Sequence, residues 1–269
     1  MQDNLLVMDQ VSFSAGGHLV LDSISAQIPK GQTTVIMGPS GCGKSTLLKV
    51  CAGLLLPTSG SIFIEGRDFS RFTDPEMVEL RGRTGFAFQN SALWANKTAY
   101  QNIELPLNFH FPKMTKKEVQ SRILDLCKKL GFDDDIQQRP SQLSLGEQKI
   151  ISMARALSTD PQYLFLDDPS SSLDGQGLGR LTEVLKNLKT TGKTLIIVTQ
   201  NPNLTSQFAD SLLLLKSGKI LVHDTFQEVV KSNDPQIRNI LTDVLSQTST
   251  YSGDILDLLS DDNSGSFFS

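Results

Sequence analysis

Gly38-Pro39-Ser40-Gly41-Cys42-Gly43-Lys44-Ser45-Thr46 spells the spacing G-x-x-x-x-G-K-S. Glycines at this spacing let backbone N–H groups turn inward around phosphate oxygens. The Lys44 ammonium then reaches the terminal phosphates, and the Ser45 hydroxyl is placed to ligate Mg²⁺. The flanks agree with this reading. Thr33 to Met37 is an apolar, strand-like run, and Thr46 to Val50 has a helical pattern. A helix starting near Gly43 adds the positive end of its dipole to the site.

A second stretch works with the first. Asp160-Pro161-Gln162-Tyr163-Leu164-Phe165-Leu166-Asp167-Asp168-Pro169-Ser170-Ser171-Ser172-Leu173-Asp174 contains a short apolar strand ending in two carboxylates. Read alone, Asp-Asp-Pro is a turn. With a phosphate loop upstream, one carboxylate can hold Mg²⁺ opposite that loop and the other can polarise an attacking water. Between the two stretches, Leu143-Ser144-Leu145-Gly146-Glu147-Gln148 precedes a helical run from Lys149 to Leu157, with Ser144 as its N-cap.

In this order the motifs resemble the nucleotide-binding subunit of an ABC transporter, over about residues 5–225. The resemblance implies an α/β fold: a P-loop NTPase (RecA-like) parallel sheet core, an antiparallel β-layer and an inserted α-helical subdomain. It implies ATP and Mg²⁺ as ligands. By position, Gln89 matches the Q-loop glutamine, which contacts Mg²⁺ and the attacking water and senses the membrane partner. Residues 143–147 match the signature LSGGQ, Asp167 the Mg²⁺-binding aspartate, and Ser171-Ser172-Leu173-Asp174 the D-loop. Such ATPases work as head-to-tail dimers, so Ser144, Leu145, Gly146 and Glu147 are expected to act in trans on a second subunit's ATP.

Several positions depart from the family pattern. Asp168 stands where the family has a catalytic Glu, and Gln200 where it has a switch His. A carboxylate shorter by one C–C bond falls about 1.5 Å short, and misplacement of about 1 Å can cost around a hundredfold in rate. Gln200 can hydrogen-bond a γ-phosphate but cannot carry charge. Leu145 replaces the first signature glycine, and Glu147 a glutamine. The adenine-stacking aromatic falls at Ala15, with Phe13 as a substitute or as core. Two expectations follow. Either the subunit is a slow working ATPase, or it binds ATP while hydrolysis is weak or lies in a mixed site with a more typical partner.

Composition excludes other classes. The 269 residues are 39% hydrophobic and 20% charged, which suits a globular chain. A net charge of −4 argues against a nucleic-acid footprint. Cys42, Cys51 and Cys127 have no zinc or disulfide spacing, and a reducing cytosol is expected. His18, His110 and His223 have no ligand partners in sequence. No apolar run approaches the ~18 residues of a membrane span, and no signal-peptide pattern opens the chain. A chain soluble by itself is expected, and the ABC transporter resemblance implies a peripheral location on the cytoplasmic face of the inner membrane, beside a separate integral permease.

Alternation predicts strands over 5–13 and 18–28, turning at Gly16-Gly17, then 33–37, 61–65, 84–88, 163–167, 194–199, 211–215 and 219–223. Helices are expected over 44–54, within 91–142 with a stop at Gly131, over 176–189, and from Pro235 to Leu245. Residues 66–83 read as mixed and polar. The domain reading is an ATPase core over 1–90 and 158–227, a helical subdomain over 91–157, and a partly disordered extension over 228–269. The aromatics Trp94, Tyr100, Phe109 and Phe111 lie where the family meets its permease. Residues 88–93, 100–107 and 233–238 resemble the ATPases of Mla/Mce-type phospholipid transport. That implies lipid-binding partner proteins and a second ATPase subunit, identical or not. A small-solute importer ATPase and a non-transport nucleotide clamp stay open.

Overall fold

The computed structural model describes residues 3–246, and the Ser-, Thr- and Asp-rich tail lies outside the described residues. Two sheets organise the chain. The first is antiparallel, with strand order β2-β1-β4-β5: β1 (Asn4–Ala15) and β2 (His18–Pro29) form the expected hairpin, joined by β4 (Ser59–Ile64) and β5 (Arg67–Asp68). The second has order β10-β9-β3-β8-β7-β6. It is made by β3 (Thr33–Met37), β6 (Thr84–Ala87), β7 (Tyr163–Asp167), β8 (Thr194–Val198), β9 (Ser211–Lys216) and β10 (Lys219–Thr225). All its neighbours pair in parallel except β10, which runs antiparallel to β9 at the edge.

The central strands read as unbroken apolar runs because both faces are covered. Val35, Leu166, Ile197 and Leu214 face one cluster, and Ile36, Phe165, Ile196 and Leu213 face the other. The second cluster is closed by α1 (Lys44–Cys51) and by the inward residues of the antiparallel layer. The first is shared with α3 (Ala99–His110), α4 (Lys116–Leu130), α5 (Leu145–Leu157) and α6 (Gly175–Thr190). The helical insertion and the parallel sheet thus pack around one continuous core. Remaining helices are α2 (Asp74–Gly82), α7 (Pro202–Phe208), α8 (Phe226–Val230) and α9 (Pro235–Ser246).

Helix ends follow local chemistry. Thr98, Thr115 and Ser144 open α3, α4 and α5, each paired with Gln or Glu three residues on. Gly131 ends α4 at φ 76°. The 91–142 stretch is not one helical run, because residues 91–98 and 131–139 form loops around α3 and α4. The polar stretch 66–83 holds α2, which periodicity missed. Its signal was Thr73-Asp74-Pro75-Glu76: the Glu76 carboxylate accepts from the Thr73 N–H at 2.9 Å, with Pro75 in the first turn.

One ion cluster joins the layers. Glu65, just past β4, accepts from Arg83 at 2.9 Å and from the Tyr163 hydroxyl of β7, and Lys30 lies at 3.4 Å. The Arg83 bonds chiefly, then Tyr163 and Lys30, hold the Glu65 carboxyl down at about 2, against the opposing effect of burial. Its folded pKa lies below the ordinary 4.5, so this stabilisation is complete above about pH 4.5 and is lost as pH falls toward about 2. The melting temperature is expected to drop through that window. Glu65→Gln should lower it at neutral pH and flatten the acid limb of the curve.

Candidate nucleotide site

The C-terminal ends of β3, β8, β7 and β6 lie side by side, which is where open α/β sheets bind ligands. A cleft of about 350 Å³ opens there. Ser40, Gly41, Gly43, Lys44, Ser45 and Thr46 line it from the loop after β3, Asp167 and Asp168 from the end of β7, Thr199 and Gln200 from the end of β8, and Gln89 from beyond β6. Four stretches far apart in sequence meet because four adjacent strands deliver them.

The loop conformation explains its glycines. Gly38 has φ 151°, and a side chain there would collide with the Leu215 carbonyl at 2.1 Å. Gly43 caps α1 at φ 105° and leaves the helix start without a side-chain cap, so its N–H groups remain for an anion. The Lys44 ammonium donates to the Gly38 and Pro39 carbonyls, both at 2.8 Å, and this holds the loop closed on itself. Cys42 is buried away from the cleft, and burial pushes its thiol pKa up.

Ser45 Oγ donates to Asp167 Oδ1 at 2.9 Å. Asp167 is 3% exposed, and burial raises its pKa against the pull of Ser45, Lys49, Lys149 and Lys44. Asp168 follows in a left-handed conformation at φ 47°. Its N–H donates to the Val198 carbonyl at 2.8 Å, and its own carbonyl accepts from Ser171 Oγ at 2.9 Å. Burial likewise raises the Asp168 pKa, Lys149 and Lys44 lower it, and Asp167 raises it. The donor set of Ser45 hydroxyl, Asp167 carboxylate and Gln89 side-chain oxygen is hard and oxygen-rich, as Mg²⁺ prefers.

Other sequence-predicted residues sit elsewhere. Ser144, Leu145, Gly146 and Glu147 do not line the cleft; they open α5, with Leu145 69% exposed. Glu147 accepts from the Ser144 N–H at 2.6 Å, and Ser144 Oγ accepts from the Glu147 N–H at 3.2 Å, so the carboxylate serves the helix start. A side chain on Gly146 would reach the Ser172 carbonyl at 2.8 Å, which places the α5 start against the 171–174 turn. Within that turn Ser172 has φ 65°, Leu173 packs on the core, and Asp174 caps α6 through the Gly177 N–H at 2.7 Å. Phe13 packs on the apolar cluster beneath the β-layer and Ala15 is exposed at the hairpin end, so neither lines the cleft. Val20 of β2 does, and strand alternation alone gave it no distinguishing mark.

Sequence reading also missed the groups that hold Gln89. Lys149 Nζ donates to the Gln89 carbonyl at 2.6 Å, and Arg155 donates to the Ser91 and Ala92 carbonyls at 2.8 Å each. Both cations lie in the run from Lys149 to Leu157, where periodicity marks a helix but not which chain segment it holds. A larger groove of about 1000 Å³, lined by residues such as Arg122, Asp125, Arg180 and Glu183 of α4 and α6, mixes both charge signs and shares no residue with this cleft.

A family model described as ABC transporter matches residues 21–171. The intermembrane phospholipid transport system ATP-binding protein MlaF of Haemophilus influenzae is 29% identical over 242 residues, 90% of this chain and 91% of the relative. The methionine import ATP-binding protein MetN of Mannheimia succiniciproducens is 31% identical over 78% of this chain and 60% of the relative. An uncharacterised ABC transporter ATP-binding protein of Methanocaldococcus jannaschii is 36% identical over 76% of this chain and 90% of the relative. Among solved structures, the dimeric post-hydrolysis ATP-binding cassette MJ0796 bound to ADP and Pi superposes with a TM-score of 0.76 at 30% identity, covering 82% of this chain and 98% of that one. With its phosphate loop, strand-end carboxylates and two-sheet architecture, the chain belongs to the ABC transporter family as one of its ATP-hydrolysing cassettes.

Proposed function

We propose that this cassette drives a separate integral membrane permease, on the cytoplasmic face of the inner membrane, for transport of phospholipid or a related lipid. The observation that carries the lipid reading is the extent of the match to MlaF. At 242 residues it is longer than the stretch 5–225 that makes a generic cassette, and it spans 91% of that relative. The MetN match covers 60% of its relative at similar identity and supports small-solute import as the second reading.

The mechanism follows from the cleft. ATP phosphates replace the Gly38 and Pro39 carbonyls as partners of Lys44 and fill the N–H cradle at the start of α1. Ser45, Asp167 and Gln89 would hold Mg²⁺, which supplies charge neutralisation on the phosphates. A second ATPase subunit, identical or homologous, offers Ser144 and Gly146 from its α5 start. Exposed Leu145 stands at that junction. Water near Asp168 gives up a proton toward its carboxylate and attacks the γ-phosphorus, the bond to the β–γ bridging oxygen breaks with ADP as leaving group, the bridging contacts are lost, and the dimer opens. Gln200 faces the γ-phosphate from β8 as a neutral donor.

The permease surface is read from Trp94. Buried Asn102 fixes the Trp94 backbone, accepting from its N–H at 2.8 Å, while the residue stays 57% exposed. Phe109 and Phe111 are 65% and 41% exposed. Aromatic side chains held rigid at a surface are typical interface anchors. Among the described residues no helix is long and apolar enough to cross a membrane.

Purifying the chain with its native membrane partners tests the reading. Co-purification of a multi-spanning chain with bound phospholipid, and turnover that responds to lipid, is the expected result. Turnover that responds to amino acids and not to lipid would move the assignment to solute import. Absence of any membrane chain would favour a nucleotide clamp. The base site gives a further expectation. Ala15 lies outside the phosphate cleft, at the hairpin end where the family resemblance places the adenine, and offers it no ring; base stacking on an aromatic is worth about 1–3 kcal/mol. Ala15→Tyr should therefore tighten ATP binding about five- to a hundredfold in an equilibrium titration.

A further inference from the structure

We propose that Lys149 is a positioning residue: it ties the helix that presents Ser144 to a second subunit's nucleotide to the loop that carries Gln89 over the chain's own. The inference rests on the dimer reading above. Lys149 is 2% exposed, yet it lies on α5 only four residues from the helix start. Its ammonium donates to the Phe88 carbonyl at 3.2 Å and the Gln89 carbonyl at 2.6 Å. Six residues on, Arg155 of the same helix takes the Ser91 and Ala92 carbonyls. Four of the five carbonyls from 88 to 92 are thus held by two cations of one helix.

The loop requires such holding. Ser91 and Ala92 have φ 61° and 44°, conformations that L-residues with a Cβ adopt at a cost. Packing alone does not call for a cation here, since a buried ammonium loses its hydration and an apolar side chain of similar volume would fill the space. The charge is matched on the cleft side: burial pushes the Lys149 pKa down, while Asp168 and then Asp167 pull it back up. The Gln89 loop holds the ammonium by direct hydrogen bonds, and the two strand-end carboxylates favour its charge. Any shift of α5 on engaging a second nucleotide is passed to the Gln89 backbone through the 2.6 Å bond.

The test compares Lys149→Met and Lys149→Arg with the parent chain, each assembled with its membrane partners. ATP turnover is measured against ATP concentration, and ATP affinity on the uncomplexed chain. Lys149→Met is expected to keep ATP affinity within about twofold, lose at least about tenfold in kcat, and lower the Hill coefficient toward one, while Lys149→Arg restores kcat to within about threefold. Equal kcat and Hill coefficient for Lys149→Met and parent would overturn the proposal, as would equal impairment of Lys149→Arg and Lys149→Met. A parent with no cooperativity would instead count against the dimer reading. In that case amide exchange over 88–92 decides: at least about tenfold faster exchange in Lys149→Met upholds the tie, and unchanged exchange sinks it. Should Lys149→Met not fold, Lys149→Gln, whose shorter amide has two N–H donors and no charge, carries the same measurements.

Discussion

Asp168→Asn is expected to lower ATP turnover by about a hundredfold or more while ATP affinity stays within about twofold. Removing a positioned general base typically costs 10²–10⁴ in rate. The substitution keeps the shape and backbone of the position and removes its negative charge, which acts both on the water and on the buried Lys149 ammonium. Asn has the same shape as Asp and tolerates the left-handed backbone found there, φ 47°. The contacts that orient residue 168 are made by its backbone, to the Val198 carbonyl and from Ser171, and Asn keeps them. Burial keeps the Asp168 pKa above the ordinary value, which makes the carboxylate a better base than a solvated one. Phosphate release by the assembled complex is the measurement. A variant that turns over like the parent would move the task of polarising water to another group lining the cleft, such as Gln89. Negligible turnover in both chains, with ATP still bound, would make this cassette a nucleotide-gated clamp or the weak half of a mixed dimer.

Much of the site was legible because its parts are local spellings with fixed mechanics. The phosphate loop needs glycine where a Cβ would strike the Leu215 carbonyl, so Gly38 and its neighbours announce it from the chain alone. The β7 run from Tyr163 ends at the cleft because a parallel strand buried on both faces must be apolar until it leaves the sheet. What stayed hidden depended on contacts between distant segments. Lys149 reaches Gln89 across a separation of 60 residues, and no pattern in either segment names the other. Phe13 illustrates the converse. Strand alternation allowed it to face either the core or the nucleotide, and the register of β1 against β2, with Phe13 opposite Leu21, puts it on the apolar cluster. The α2 helix was missed for a different reason: its helical stripe is weak and only Leu80 is fully buried, so the capping residues carried more information than periodicity.

Asp168→Glu combined with Gln200→His should raise turnover about ten- to a hundredfold. Both residues line the same cleft, delivered by adjacent strands β7 and β8, so in the proposed mechanism they would act on one reacting phosphate. The added methylene extends the carboxylate by about 1.5 Å, and recovering a misplacement of about 1 Å is worth around a hundredfold. Histidine at 200 adds a donor that can carry positive charge where negative charge develops on the phosphate, which neutral Gln cannot do. The cost falls elsewhere. Glu in the left-handed conformation at 168 is less comfortable than Asp, by at most roughly 1–2 kcal/mol, and that strain is present before and during the reaction. It should appear as a lower melting temperature and leave the rate gain of about 2.7 kcal/mol per hundredfold intact. Because the two groups share a substrate, the double variant is expected to exceed the sum of the single effects. Turnover equal to or below the parent would mean that Asp168 and Gln200 suit each other and a slow cycle.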